Sequence, residues 1–148
     1  RLDPKKYLDR TWATRKNPWI DRLASAWLIK RFIDRKARFR WIDKPKDRPK
    51  SALGFDFDGA DFTHVGNRVT FEVLLVSFGL DRDPALNQLA ATIHFLDVGG
   101  IPVDDAKGLE MVLKGARDNA RSDDELVQAA AKVFDHVYSA YQSTKSSP

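Results

Sequence analysis

Apolar positions recur at helical spacing in residues 20–33, where Ile20, Leu23, Ala24, Trp27 and Leu28 fall on one face. Asn17-Pro18 before them reads as a helix start, Asn as N-cap and Pro as first residue. Residues 10–15 alternate and carry Thr and Trp, so they predict a short strand, as do residues 38–42. The Pro- and Lys-rich run 44–50 reads as a loop. Residues 54–58 alternate cleanly and predict another strand, which 61–64 and 68–70 would extend around a turn at 65–67. Thr70 is expected to cap a short helix over 71–78, and Asp83-Pro84 to start one ending near 97. Gly99-Gly100 breaks it, 104–119 reads as helical, and Ser122 caps a last helix to about 141.

The pattern predicts an α+β fold: a small sheet in the N-terminal half packed by a predominantly helical C-terminal half. Residues 1–142 read as one domain and 143–148 as a polar, disordered tail. No internal repeat is visible. At 148 residues the chain is long enough to bury a core without covalent help.

Charge changes this picture. Residues 1–50 hold 17 Lys/Arg against 6 Asp/Glu, and the rest hold 8 against 15, so a net of +11 faces a net of −7. A basic N-terminal third suits an oxyanion, an acidic partner or nucleic acid, or is simply a solvated surface. The chain has no cysteine, which excludes a disulfide framework, a zinc ribbon and a thiol nucleophile. That absence fits a cytoplasmic setting. No apolar stretch approaches the roughly 20 residues of a membrane span. The opening Arg-Leu-Asp-Pro, without Met or an apolar leader, suggests a piece of a longer protein. Nucleotide-binding, serine-hydrolase and zincin motifs are absent.

Four residues are candidate metal ligands: His64, Glu72, His94 and Asp97. His64 precedes a glycine turn, Glu72 lies in the first turn of the next helix, and His94 and Asp97 share a helix face. Two imidazoles and two carboxylates suit Zn, Mn, Fe or Ni. The plainer reading leaves each with a structural partner: a turn carbonyl, a helix N-terminus, the core, the Gly99-Gly100 turn. A second group is basic. Arg15 and Lys16 precede a helix start and Arg22 lies one turn in, a pattern suited to gripping a tetrahedral oxyanion. Asp21 beside them could instead pair with a basic neighbour in an ordinary salt-bridge network. Trp27, Phe32, Phe39 and Trp41 are interleaved with further cations at core-like spacing, so they read as packing. Leu126, Val127, Ala130, Val133, Phe134, Val137 and Tyr138 form a helical stripe that could serve both the core and a homodimer interface.

Several phrases carry a resemblance. They are Trp12-Ala-Thr-Arg15, Ile20-Asp-Arg-Leu-Ala-Ser-Ala-Trp-Leu-Ile29, Arg31-Phe-Ile-Asp34 and Gly54-Phe-Asp-Phe-Asp-Gly-Ala60. Phe62-Thr-His64, Val69-Thr-Phe-Glu-Val-Leu-Leu75 and His94-Phe-Leu-Asp-Val-Gly-Gly-Ile-Pro102 continue the series. Together, from about residue 1 to 141, they resemble the chromate-resistance protein family of the ChrB type. The resemblance implies the C-terminal effector half of a chromate-responsive transcriptional regulator of bacterial efflux genes. It would bind chromate, a similar oxyanion or a metal ion, and reach DNA only through an N-terminal half. Some members of that family carry Cys where this chain has Ser25, and some lack a His at the position of His94. Ser25 therefore removes any thiol role in reducing chromate. The alternative reading is a metal-dependent enzyme of chromate or oxidant detoxification using His64, Glu72, His94 and Asp97.

Overall fold

A computed structural model describes residues 1–146. Strand β1 (Thr11–Arg15) buries Trp12, Ala13 and Thr14 and is the middle strand of a three-stranded sheet of order β2-β1-β3. Strand β2 (Arg38–Ile42) runs parallel to it, with Trp12 opposite Phe39 and Thr14 opposite Trp41. A parallel pair needs a long crossover, and helix α1 (Ile20–Leu28) supplies it. Strand β3 is only Leu53–Gly54, also parallel to β1. The strand expected over 54–58 stops there because Asp56 takes a left-handed φ of 61°, which an extended strand cannot hold. The expected extensions at 61–64 and 68–70 reduce to two isolated bridges, Phe55 with Phe62 and Val65 with Arg68.

Helix α1 begins later than Asn17-Pro18 suggests. Asn17 is itself left-handed, at φ 57°, and its N–H donates to Asp123. Past Leu28 the coil widens into one π turn, Ile29–Ile33, closed by the Asp34 N–H on the Ile29 carbonyl at 2.7 Å. Asp34 is fully buried. Its Oδ1 accepts the N–H of Asp9 at 2.7 Å and of Lys36 at 3.2 Å. Its Oδ2 accepts the N–H of Arg10 at 2.9 Å and the Trp12 indole at 3.0 Å. Burial alone would raise this carboxyl's pKa; the hydrogen bonds outweigh it and hold the pKa below the ordinary value.

Helices α2 (Thr70–Ser77), α3 (Pro84–Val98), α4 (Ala106–Asn119) and α5 (Asp123–Ser146) follow. Asp83 caps α3 through the N–H groups of Ala85 and Leu86, and Gly99, at φ 82°, ends it. The Ser122 hydroxyl accepts the Glu125 N–H at the start of α5, as expected. That helix runs past the expected end near residue 141; the rest of the anticipated tail, 147–148, lies outside the described residues. Thr70 is not the cap of α2 but its first residue, and the N-cap is Val69, which has no side-chain acceptor.

Helix α1 sits at the centre, touching α2, α3 and α5. The main core gathers Trp12, Leu23, Phe71, Leu74, Ile93 and Phe134. A smaller one on the opposite face of the sheet holds Ala13, Ile42, Ala52 and Phe57. The chain is thus α+β, its sheet in the N-terminal half and most of its helix in the C-terminal half. Among the described residues no helix is long and apolar enough to cross a membrane.

Candidate metal centre

The uncapped start of α2 organises the site. Its first N–H groups have no partner in their own chain segment, and a positive dipole end accompanies them. Asp21 of α1 reaches across to supply both acceptors. Its Oδ1 accepts from Phe71 N–H at 2.9 Å and its Oδ2 from Thr70 N–H at 3.1 Å. Glu72 Oε1 turns back to the Val69 N–H at 3.0 Å. Asp21 is only 3% exposed, so it is a charge placed in the interior between two helices.

Asp21 does not stand alone. His64 Nε2 lies 3.2 Å from Asp21 Oδ2, 3.3 Å from Asp56 Oδ1 and 3.6 Å from Asp97 Oδ2. Asp56 is fixed further by the Thr70 hydroxyl, which donates to its Oδ1 at 2.8 Å, and by Arg22 Nε at 3.2 Å from its Oδ2. The left-handed backbone of Asp56 is uncommon for a residue with a side chain, and these three partners on its carboxylate over-determine it. Three carboxylates and one imidazole therefore meet where α1, α2, the end of α3 and the loop 55–69 converge.

Electrostatics follow from the crowding. Burial pushes the Asp21 carboxyl up to about 7, and the negative charge of Asp56 adds to it, against the hydrogen bond from Phe71. Burial also raises Asp97, partly offset by His64. A like-charged cluster of this kind is relieved by a proton or by a cation. One ligand atom each from Asp21, His64 and Asp97 all lie within 4.8 Å of one another, close enough to converge on one ion. His64 and Asp97 are part-exposed, at 42% and 30% of their side chains, so the cluster opens to solvent on one side.

The four expected ligands divide into two pairs. His64 faces Asp97, while His94 Nδ1 contacts Glu72 Oε1 at 2.6 Å. The two pairs are neighbours, since His94 helps hold Asp97 ionised. The basic group is arranged differently from an anion grip. Arg22 turns its Nε to Asp56 and its Nη1 to the carbonyls of Arg15 at 2.7 Å and Lys16 at 3.3 Å. Lys16 pairs with Asp43 at 2.6 Å. Arg15 lines a cleft of about 390 Å³ together with Asp56, Asp58, Thr63 and His64.

Two residues of the cluster escaped the sequence reading. Asp21 left a signal: it shares a helix face with Ala24 and Leu28, an acid on an otherwise apolar stripe. Asp56 left none, because the alternation of residues 54–58 presents it as the outward position of a strand.

Residues 12–141 match the family described as ChrB, C-terminal domain. The chain belongs to the ChrB C-terminal domain family. It is also 53% identical over 145 residues to Protein ChrB of Cupriavidus metallidurans, a match covering 98% of this chain and 45% of that protein. The chain thus spans about half the length of this ChrB relative. No solved structure matches it.

Proposed function

We propose that this ChrB-family chain is the sensing half of a chromate-resistance regulator and that its ligand is a divalent transition-metal cation. The observation that carries the reading is the convergence of Asp21, Asp56 and Asp97 on His64 Nε2. Three carboxylates and the single guanidinium of Arg22 crowd a surplus of negative charge around His64. A divalent cation cancels that surplus; a chromate dianion would double it. An oxygen-rich set with one imidazole suits Mn, Fe or Zn better than Ni. Asp21, His64 and Asp97 would hold the ion, with Asp56, Arg22 and Thr70 orienting them and the Glu72–His94 pair beside them. Because Asp21 also ends α2, an ion there would pull on the seam between α1 and α2, which is how occupancy would reach the rest of a longer regulator.

The test is metal content and melting temperature of the chain and of His64→Ala and Asp97→Asn, after incubation with Mn or Zn and desalting. Both substitutions are at part-exposed positions, so folding should survive them. One bound equivalent and a raised melting temperature in the parent, both lost in the variants, are expected, since binding to the native state alone adds about 2.7 kcal/mol at a hundred-fold excess over Kd. Metal retained at full occupancy in both variants, or none in the parent, overturns the reading. A melting temperature that instead rises with chromate alone moves the ligand to the Arg15 cleft. The open side of the cluster also leaves room for catalysis, and metal-dependent turnover of an oxidant would favour the enzyme reading.

A further inference from the structure

On the far side of α1 from its acidic end lies a groove of about 840 Å³, bounded by α1, β2 and α5. That volume is in the range of small-molecule sites, roughly 300–1,000 Å³. Phe39, Val127 and Ala131 form the accessible part of its apolar lining, while Ala26, Trp27 and Ala37 are buried. The walls are pinned. The Trp27 indole and Arg31 Nη1 both donate to Asp135 Oδ1 at 2.8 Å, joining α1 to α5. The Trp41 indole donates to Asp124 Oδ1 at 2.8 Å, joining β2 to α5. With the walls fixed, the part-exposed Ala131 leaves space that a larger side chain would have closed.

The charges around this groove are unequal in what they have left to offer. Asp135 takes the Trp27 and Arg31 donors on its Oδ1, and Asp124 takes the Trp41 indole on its Oδ1. Arg31 is paired with Asp135 through Nη1, one part of its five-donor guanidinium. Lys30 gives one of its three donors to the Ala37 carbonyl at 2.9 Å, and Lys132 has no partner among the described residues. The groove therefore combines an apolar lining with the ammonium groups of Lys30, which keeps donors to spare, and of Lys132.

We propose that this groove is a second binding site and that it takes a small aromatic anion, an aryl carboxylate or sulfonate, with its ring on the apolar lining and its charge at Lys30 and Lys132. The site is independent of the acidic cluster, with which it shares only helix α1. An aromatic body fits an apolar lining, and a single negative group matches Lys132 and the spare donors of Lys30.

The experiment uses 8-anilinonaphthalene-1-sulfonate as the aromatic anion and follows its fluorescence on titration into the natively folded chain. Saturable one-to-one binding is expected for the parent. Ala131→Trp, which fills the groove, should abolish it, and Lys132→Glu should weaken it about tenfold, the loss of one charge-assisted contact. His64→Ala should leave it unchanged. Circular dichroism and a cooperative melt establish that each variant is folded; if Ala131→Trp is not, the exposed Lys132→Glu decides alone. Absence of saturable binding in the folded parent, or an unchanged affinity in Lys132→Glu, overturns the proposal.

Discussion

The carboxylate of Asp34 can be subtracted with an unusually clear expectation. Each of its oxygens takes two N–H donors: Asp9 and Lys36 on Oδ1, Arg10 and the Trp12 indole on Oδ2. In Asp34→Asn one oxygen becomes an NH2 group. Whichever way the amide is turned, two donors then face another donor: Asp9 and Lys36 at part-buried contacts, or Arg10 and the buried Trp12 indole. Leaving a buried group unsatisfied costs about 1–3 kcal/mol, so two of them should cost about 2–6 kcal/mol. That is a large part of the ~5–15 kcal/mol that holds a domain of this size. Urea unfolding followed by circular dichroism measures it, with Trp12 fluorescence as a local probe. The pH dependence adds a second handle. The folded-state pKa is depressed, so the contribution is complete above the unfolded value of about 3.9 and disappears as pH falls through the lower folded one. The parent should lose stability over that acidic window more steeply than Asp34→Asn. A loss below about 1 kcal/mol, or identical acid limbs in both proteins, would refute the reasoning.

Three other substitutions have definite expected outcomes. Asp21→Ala strips the acceptors from the N–H groups of Thr70 and Phe71 and should cost about 2–4 kcal/mol, read as a shifted urea midpoint. Ser25→Ala should be neutral or slightly stabilising in the same assay, because the buried Ser25 hydroxyl has no hydrogen-bond partner among the described residues. Tyr138 donates to Asp83 Oδ2 at 2.5 Å, and burial, then that bond, pushes its pKa up to about 12. Its contribution to stability is full below the unfolded value of about 10 and is lost as pH rises toward 12, so Tyr138→Phe should lessen alkaline destabilisation in a pH-melt series.

The helical part of the fold was legible where local chemistry decides it. Asp83-Pro84 and Ser122 mark helix starts because a side-chain oxygen meets orphan N–H groups within three residues, and the structure uses both. The starts of α1 and α2 misled for the opposite reason. Asn17 and Thr70 are good caps in isolation, but Asn17 is held by Asp123 and Thr70 is turned to Asp56, partners far away in sequence. The same non-locality governs the site. His64 and Asp97 could be named from residue type alone, while Asp21 looked like a neighbour of Arg22. Its role is set by a helix that starts 49 residues later. Arg22 lies in a basic segment that suits either an anion or a salt-bridge network, and its carboxylate partner Asp56 comes from another turn of the chain.

The sheet ends, on one side, at strand β2, which pairs only with β1 among the described residues. Such an open border is a template on which another molecule of the same chain could add itself, the first step of aggregation. Arg38 and Arg40 are exposed along it, and Arg38 is tied to Asp9 at 2.6 Å while Arg40 stays uncommitted. Two copies meeting border to border would bring like charges together at the spacing of a strand pair. The basic character of this strand therefore opposes pairing border to border, and replacing Arg40 by Val should favour it.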